Sequence, residues 1–241
     1  MLLEGRNAVV FAAWGAIASE VSRRFAAEGA TVWASARNDT AVKELVEEIT
    51  ASGRIAHGEQ VDATDLAEID AYLDRVVATT GSIDVVFNGI GGRPVDLGYP
   101  ALSTEQSLDD FMVPVRLIVG SQFLTARSAG RHMAQAGYGS IVMLAAGLGA
   151  IGRPHVAGIS AACAAVEGMT RSLSAEFGSR GIRVNCVRAS AMPETRTIRE
   201  TGAALVSLGA APRIPTRSDD RSPWPRLRRH LRTSRRTWHR A

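Results

Sequence analysis

Short apolar runs alternate with amphipathic helical patterns along most of the chain, and this alternation restricts the fold more than any other feature of the sequence. After the first run, for example, Ile17, Val21 and Phe25 recur at helical spacing until Gly29 ends the helix. Repeated strand–helix units favour a parallel sheet covered on both faces, with a ligand crevice at the carboxyl ends of the strands. The sequence therefore predicts a doubly wound, three-layer α/β/α domain with strands over residues 8–11, 31–34, 56–61, 83–87, 140–144 and 182–187.

Local signals mark some of the helix boundaries. Asp65 is followed three residues later by Glu68, which is the pattern of a capping box at the start of a helix. A long helical region is predicted from the end of the fourth strand to about Met133. Pro114 lies inside this region and predicts a kink or a boundary there, because proline cannot donate a backbone hydrogen bond.

Composition limits the classes of protein that need to be considered. The chain has 241 residues, of which 46% are hydrophobic and 22% charged, as is typical of one soluble globular domain. No stretch approaches the roughly 20 apolar residues of a membrane-spanning helix, and residues 1–7 lack the apolar core of a secretion signal. Cys163 and Cys186 do not suggest a disulfide framework or a metal site. We therefore expect a cytoplasmic protein without a metal or a membrane partner.

The basic residues are concentrated at the end of the chain. Residues 213–241 contain ten arginines and two aspartates, whereas residues 1–212 carry more acidic than basic side chains. We predict a folded domain over residues 1–212 and a disordered arginine-rich tail. The tail is either a basic arm that binds nucleic acid or acidic surfaces, or a sequence not selected for folding, such as an out-of-frame ending. We favour the second interpretation because the tail has no lysine and no packed pattern.

Three segments resemble a known family. Residues 83–91 are similar to a fourth strand that ends in Asn-Asn-Ala-Gly, while residues 123–127 and 181–187 resemble the helix before strand five and the sixth strand. From residue 3 to about residue 200, the chain resembles the short-chain dehydrogenase/reductase family. The resemblance implies a Rossmann-type fold, a nicotinamide dinucleotide, a small-molecule substrate and a homo-oligomer. The family's seventh strand is expected to be missing, because residues 205–241 match none of its ending.

The resemblance places a dinucleotide-binding loop at residues 11–18, where the family has Thr-Gly-x-x-x-Gly-x-Gly. Ala12, Ala16 and Ala18 replace the three glycines, and Gly15 stands at a variable position. Each alanine adds a Cβ atom close to the expected pyrophosphate and is expected to resist a positive φ. The loop is either a narrowed binding site, with Gly15 and Ile17 next to the ligand, or a plain strand-to-helix turn.

The end of the second strand bears on the choice of dinucleotide. Members of the family that use NAD place an acidic residue there, but this chain has Ala36 followed by Arg37. An arginine without a competing carboxylate suits the 2′-phosphate of NADP, although NAD remains possible and Arg37 is alternatively a solvated surface charge. By resemblance, Asp62 lies near the adenine, and Asn88 and Gly91 belong to the segment that runs under it.

The resemblance also implies four polar catalytic residues, and none of them is present. The family's Ser, Tyr, Lys and Asn positions fall on Ala146, Ile159, Cys163 and Ile118. Isoleucine cannot donate a proton, and a thiol in apolar surroundings has a raised pKa and cannot replace an ammonium group. The sequence therefore indicates a divergent branch of the family in which the usual carbonyl reduction is disabled.

Other residues are candidates for the missing roles. His155 precedes the Tyr position by four residues and is a possible acid, although a histidine in a loop is usually a surface residue. Tyr99, Ser160 and Cys163 are further options, and for Tyr99 a packing role is favoured. Trp14 either stacks on a ligand or caps the helix, and we favour the cap.

Three hypotheses of function follow from these residues. The first is an oxidoreductase of the family that binds NADP and uses an unidentified proton donor, or a substrate that needs none. The second is a non-catalytic relative that binds a ligand or pairs with an active subunit. The third, nucleic-acid binding through the tail, is the least favoured, because its support comes from the least protein-like segment.

Overall fold

A single parallel sheet forms the centre of the domain. The computed structural model describes residues 1–190 and, beyond them, residues 192, 195, 197 and 199. The strand order is β3-β2-β1-β4-β5-β6, so the direction of winding reverses between β1 and β4. This order confirms the predicted Rossmann-type fold and places a ligand crevice at the carboxyl ends of the strands. The strands are β1 Asn7–Phe11, β2 Thr31–Ala36, β3 Ala56–Gln60, β4 Val85–Asn88, β5 Gly139–Ala146 and β6 Ile182–Ala189.

Helices cover both faces of the sheet. Successive strand residues point to opposite faces, so Val9 and Phe11 pack into one core cluster while Ala8 and Val10 pack into another. The first cluster includes side chains of α3, α5 and α6, and the second includes side chains of α1 and α2. The helices are α1 Ala16–Ala27, α2 Asp39–Ala51, α3 Leu66–Thr80, α4 Leu108–Pro114, α5 Gly120–Ala136 and α6 Ala157–Gly178.

The predicted long helical region after β4 is wrong for its first part. Residues 89–107 form a loop with one 3₁₀ turn at Pro94–Leu97, because glycine and proline are frequent there. The boundary predicted at Pro114 is confirmed. Helix α4 ends at Pro114, and a π-helical turn, Val115–Val119, separates it from α5. Proline removes one backbone donor, and the π turn accommodates the change in hydrogen bonding.

The capping box predicted at α3 is confirmed in part. Asp65 accepts hydrogen bonds from the backbone N–H groups of Ala67 and Glu68, at 2.8 and 3.1 Å. Glu68 does not reach back to Asp65 but accepts from the N–H of Asp62, at 2.7 Å. The N–H of Asp65 donates instead to the Asp62 carbonyl. The cap therefore also fixes the turn that carries Asp62.

A carboxylate ties β1 to β4 at the amino end of the sheet. Asp84 accepts hydrogen bonds from the Arg6 guanidinium and the Asn7 N–H, each at 2.8 Å, and from the Ser82 hydroxyl at 3.2 Å. Burial raises the pKa of Asp84, but these donors outweigh burial, so its pKa lies below the usual value. Asp84 is therefore ionised near neutral pH.

The predictions for the end of the chain lie outside the described residues. These are the missing seventh strand, the domain boundary at residue 212 and the disordered tail of residues 213–241. Within the described part, no helix is both long and apolar enough to cross a bilayer.

Candidate active site

The loop between β1 and α1 adopts the tight turn that the family forms with glycine. Ala12 has a φ of +56°, so the expectation that alanine resists a positive φ is wrong here. Left-handed backbone costs an L-residue about 1–2 kcal/mol. Two hydrogen bonds hold the turn, from the Ala13 N–H to the Ser35 carbonyl and from the Gly15 N–H to the Ala12 carbonyl, each at 3.0 Å. The backbone of the turn is therefore kept without its first glycine.

Helix α1 begins at this turn with its amino end open. Gly15 is the N-cap residue, no side chain caps the helix, and the first turn carries no acidic residue. The first backbone N–H groups of α1, including that of Ile17, therefore lack a partner within the helix and favour an anion. The prediction that Trp14 caps the helix is wrong, because Trp14 lies one residue before the N-cap and 47% of its surface is exposed.

The third alanine of the loop, Ala18, is accommodated by Gly89, which directly follows β4. A Cβ atom built on Gly89 would lie 2.6 Å from the Cβ of Ala18, which is too close. In the family pattern the position of Gly89 holds Asn and the position of Ala18 holds Gly. The larger residue of the pair therefore lies at position 18 in this chain instead of position 89. The space between the loop and β4 therefore holds one Cβ atom, contributed here by Ala18.

A groove of about 760 Å³ opens beyond the carboxyl ends of β2 and β3. Arg37, Asp62, Glu68 and Arg75 contribute to its walls. Arg75 is paired with Glu59, whereas Arg37 makes no ion pair with any residue in the described part of the chain. Burial raises the pKa of Asp62, but two hydrogen bonds from Thr64 and the charge of Arg37 outweigh burial. The pKa of Asp62 therefore lies below its usual value.

Asn88 is fixed at the end of β4. Its side-chain amide donates to the Thr125 hydroxyl at 2.9 Å, and its Oδ1 accepts from the Ile90 N–H at 2.8 Å. Gln122 donates to the Asn88 carbonyl at 3.3 Å, and its own Oε1 is enclosed without a partner. These bonds position the segment from Asn88 to Gly91, where Gly91 itself borders open space.

The four positions implied by the family's catalytic group belong to the apolar core on one face of the sheet. Ile118 and Cys163 are buried in the core cluster of α3, α5 and α6, and Ala146 and Ile159 pack against it. Burial raises the pKa of the Cys163 thiol, and a hydrogen bond with the Ala146 backbone opposes this only in part. The side chains of Ile118, Ala146, Ile159 and Cys163 therefore offer no hydroxyl and no ammonium group.

Of the substitute residues, Tyr99 and His155 lie on loops and Ser160 lies in the first turn of α6. Ser160 is engaged, because its hydroxyl donates to the Leu148 carbonyl at 2.7 Å. His155 is half-buried, has a φ of +65°, and accepts the Ala101 N–H on its carbonyl at 3.4 Å. Tyr99 is 5% exposed, and burial raises its pKa while the charge of Arg153 acts to lower it. Tyr99 thus lies on the loop after β4, and Arg153 and His155 lie on the loop after β5.

Among the described residues, no group of three or more His, Cys, Asp or Glu side chains could hold a metal ion.

Comparisons with known proteins point to one family. Residues 12–215 match the family model described as Enoyl-(Acyl carrier protein) reductase. D-threitol dehydrogenase of Mycolicibacterium smegmatis is 28% identical over 185 residues, which cover 77% of this chain and 69% of that protein.

Solved structures agree with this result. An NAD⁺-bound xylitol dehydrogenase has the same fold, with a TM-score of 0.82 at 24% identity over 87% of this chain and 79% of that one. A 7α-hydroxysteroid dehydrogenase in complex with NADH and 7-oxo glycochenodeoxycholic acid has a TM-score of 0.71 at 26% identity, over 77% of this chain and 71% of that one. Since the family model spans most of the domain and the sheet order agrees, the chain belongs to the short-chain dehydrogenase/reductase family.

Proposed function

We propose that this chain is a dinucleotide-binding oxidoreductase-like member of its family that takes NADP(H) and cannot carry out the tyrosine-dependent reduction of carbonyls. One observation carries the proposal. The positions of the family's Ser, Tyr, Lys and Asn hold Ala146, Ile159, Cys163 and Ile118, which gather in one apolar cluster.

The cofactor half of the proposal depends on backbone groups. The turn at Ala12 and the open amino end of α1 direct N–H groups toward the crevice, and an anion is stabilised there by the helix dipole. Ala16 and Ala18 add only methyl groups, and the second of these faces Gly89 rather than the ligand. Gly15, Ile17, Asn88 and Gly91 would border the dinucleotide.

The preference for NADP is based on the end of β2. Ala36 provides no carboxylate for the ribose hydroxyls, and the exposed Arg37 next to it has no ion-pair partner among the described residues. A guanidinium group binds a phosphate through charge-assisted hydrogen bonds. Asp62 and Glu68 line the same groove and oppose a phosphate, so NAD is the alternative ligand.

Proton transfer is the step that this chain cannot support in the usual way. A bound nicotinamide would supply or accept a hydride, while the protein must exchange a proton with the carbonyl oxygen. Ile159 has no proton to give, and the buried Cys163 has a raised pKa. Loss of general acid catalysis alone costs about 10²- to 10⁴-fold in rate, and residues that act as a unit fail together.

A fluorescence titration tests the binding half. Nicotinamide fluorescence is followed while the protein is titrated with NADPH and then with NADH. We expect tighter binding of NADPH and a roughly tenfold loss in Arg37→Gln that NADH does not show, because only the 2′-phosphate is affected. Arg180→Gln is the matched control, since Arg180 is exposed and lies after the carboxyl end of α6. Equal affinities for both dinucleotides in all three proteins would contradict the NADP preference.

A carbonyl panel then separates an enzyme from a non-catalytic relative. Saturable binding of NADPH without oxidation by aldehydes or ketones supports the proposal in its non-catalytic form. Turnover that is abolished by His155→Ala but not by Ser160→Ala would instead assign His155 as the acid of an atypical enzyme.

Two further expectations concern the whole protein. The resemblance to the family implies a homo-oligomer, which mass photometry at several concentrations would detect. We also expect limited proteolysis to remove residues after about position 212 and to leave NADPH binding intact.

A further inference from the structure

Two loops meet at the carboxyl end of the sheet, above the apolar cluster. The first, residues 89–107, follows β4, and the second, residues 147–156, follows β5. The Ala101 N–H donates to the His155 carbonyl at 3.4 Å and joins the two loops. Tyr99 and Arg153 each lie two residues before this bond, and the charge of Arg153 acts on the Tyr99 hydroxyl. The two joined loops therefore carry a phenol and a guanidinium group at the carboxyl end of the sheet, each two residues from the bond that joins them.

Within the described part of the chain, no hydrogen bond or ion pair engages the Tyr99 hydroxyl or the Arg153 guanidinium. Arg153 is half-buried, and it makes no ion pair with a residue of the described part, whereas many other described arginines do. Tyr99 is 5% exposed, yet its hydroxyl receives no hydrogen bond from the described residues and is not among the fully enclosed polar atoms. A nearly buried phenol with an accessible, unpartnered hydroxyl beside an unpaired arginine is the arrangement of a binding site.

The surroundings favour an anion with an apolar body. Helix α6 begins directly after this point, with no side-chain cap at Val156 and no acidic residue in its first turn, so its positive end adds to the charge of Arg153. Leu102 and Ile151, one from each loop, are each 50% exposed. The site thus combines one positive charge with apolar side chains on both loops.

We propose that Tyr99 and Arg153 bind the carboxylate of a ligand whose apolar body lies between the two loops. The guanidinium can donate two parallel hydrogen bonds to a carboxylate, and the phenol can donate a third. One arginine matches the single charge of a carboxylate better than the double charge of a phosphate. The inference rests on the proposed function, because it takes the crevice beside the dinucleotide as the place where this ligand is held.

Isothermal titration calorimetry with three probes tests the site. Octanoate, 1-octanol and inorganic phosphate are titrated into the protein with and without saturating NADPH. We expect octanoate to bind at least about tenfold more tightly than 1-octanol, because the alcohol lacks the charge. Phosphate is expected to bind more weakly than octanoate. Phosphate that binds as tightly as octanoate, or octanol that does so, would overturn the proposal.

Variants assign the effect to the two residues. Arg153→Gln should weaken octanoate about tenfold and leave octanol unchanged, Tyr99→Phe should weaken octanoate about threefold, and Arg180→Gln should change nothing. Octanoate affinity that is the same in Arg153→Gln as in the wild type, or absent in the wild type, would overturn the proposal. Failure of NADPH to bind the wild type contradicts the proposed function instead, and the titrations of the free protein still report on the carboxylate site.

Discussion

Under the proposed function, the dinucleotide loop and the apolar cluster both lack residues that the family uses, but with different consequences. In the loop, Ala12 replaces a glycine and the turn persists with a φ of +56°. In the cluster, the proposed alignment puts Ile159 and Cys163 at the family's Tyr and Lys positions, and Cys163 lies against the Ala146 backbone. The backbone is preserved in both regions, whereas polar side chains are lost in one of them.

The difference shows which kinds of site survive substitution. A site made of backbone N–H groups depends on conformation, and conformation can be maintained by neighbours such as Ser35, at a cost of about 1–2 kcal/mol. A site made of side-chain acids and cations has no such substitute, because an alkyl group cannot exchange a proton. The predictions below test each half of this comparison.

Restoring the four polar residues should have the largest effect. The variant Ile118→Asn, Ala146→Ser, Ile159→Tyr and Cys163→Lys is expected to oxidise NADPH with a carbonyl panel at least about 100-fold faster than the wild type, because it supplies general acid catalysis at the positions that the proposed function aligns with the family's catalytic group. The same variant with Ile159→Phe is the control and should show no gain. A variant that folds and binds NADPH but gains no activity would mean that the cluster has lost its geometry as well.

Gly89→Ala should destabilise the protein by about 3 kcal/mol, because the new Cβ would lie 2.6 Å from that of Ala18 and 3.1 Å from the Phe87 ring. Gly91→Ala is the control, since a Cβ there meets nothing within 4 Å. Adding Ala18→Gly should recover much of the loss at Gly89. Urea unfolding measures these variants, Ala18→Gly alone and the wild type, and additive effects at residues 18 and 89 would refute the exchange of space between them.

Asp84 extends the comparison to a polar residue retained for structure. Asp84→Asn should cost about 2 kcal/mol at pH 7, because three donors lose a charged acceptor. The folded-state pKa of Asp84 lies below its unfolded value, so the stabilisation is present above about pH 4 and is lost as the pH falls through the folded-state pKa. Urea midpoints of the wild type and the variant should therefore converge at low pH, and a constant difference would contradict the assignment.

Ala12→Gly should have the smallest effect, a stabilisation of about 0.5 kcal/mol, because relief of the positive φ slightly exceeds the extra entropy of the unfolded glycine. Ala13 is buried and its φ is not positive, so Ala13→Gly is expected to lower the free energy of unfolding by about 1 kcal/mol. Thermal unfolding measures both. Equal losses in the two variants would show that Ala12 is not strained.

Much of the fold could be predicted from sequence because it depends on local periodicity. All six strands and the boundary at Pro114 follow from alternation and from the chemistry of one proline. The positive φ of Ala12 could not be predicted, since a hydrogen bond from the next residue to Ser35 on another strand holds it. Here a tertiary hydrogen bond overrides the local preference of alanine for a negative φ.

The candidate site was predictable only where a motif carried it. Arg37 and Asp62 were placed by resemblance, and the structure brings both to one groove. The pairing of Tyr99 with Arg153 joins residues far apart in sequence through a hydrogen bond between two irregular loops. No spacing in the sequence signals such a contact, so only the folded chain shows it.

The central claim is that the cofactor half of this site functions without the proton-transfer half. The most direct test is the absorbance of NADPH, held at a concentration that saturates the wild-type protein, during incubation with aldehydes and ketones across a range of pH. We predict bound NADPH whose oxidation does not exceed the rate without protein at any pH. Saturable oxidation of a ketone that decreases above a distinct pKa would reveal a working acid in the crevice and would contradict the account.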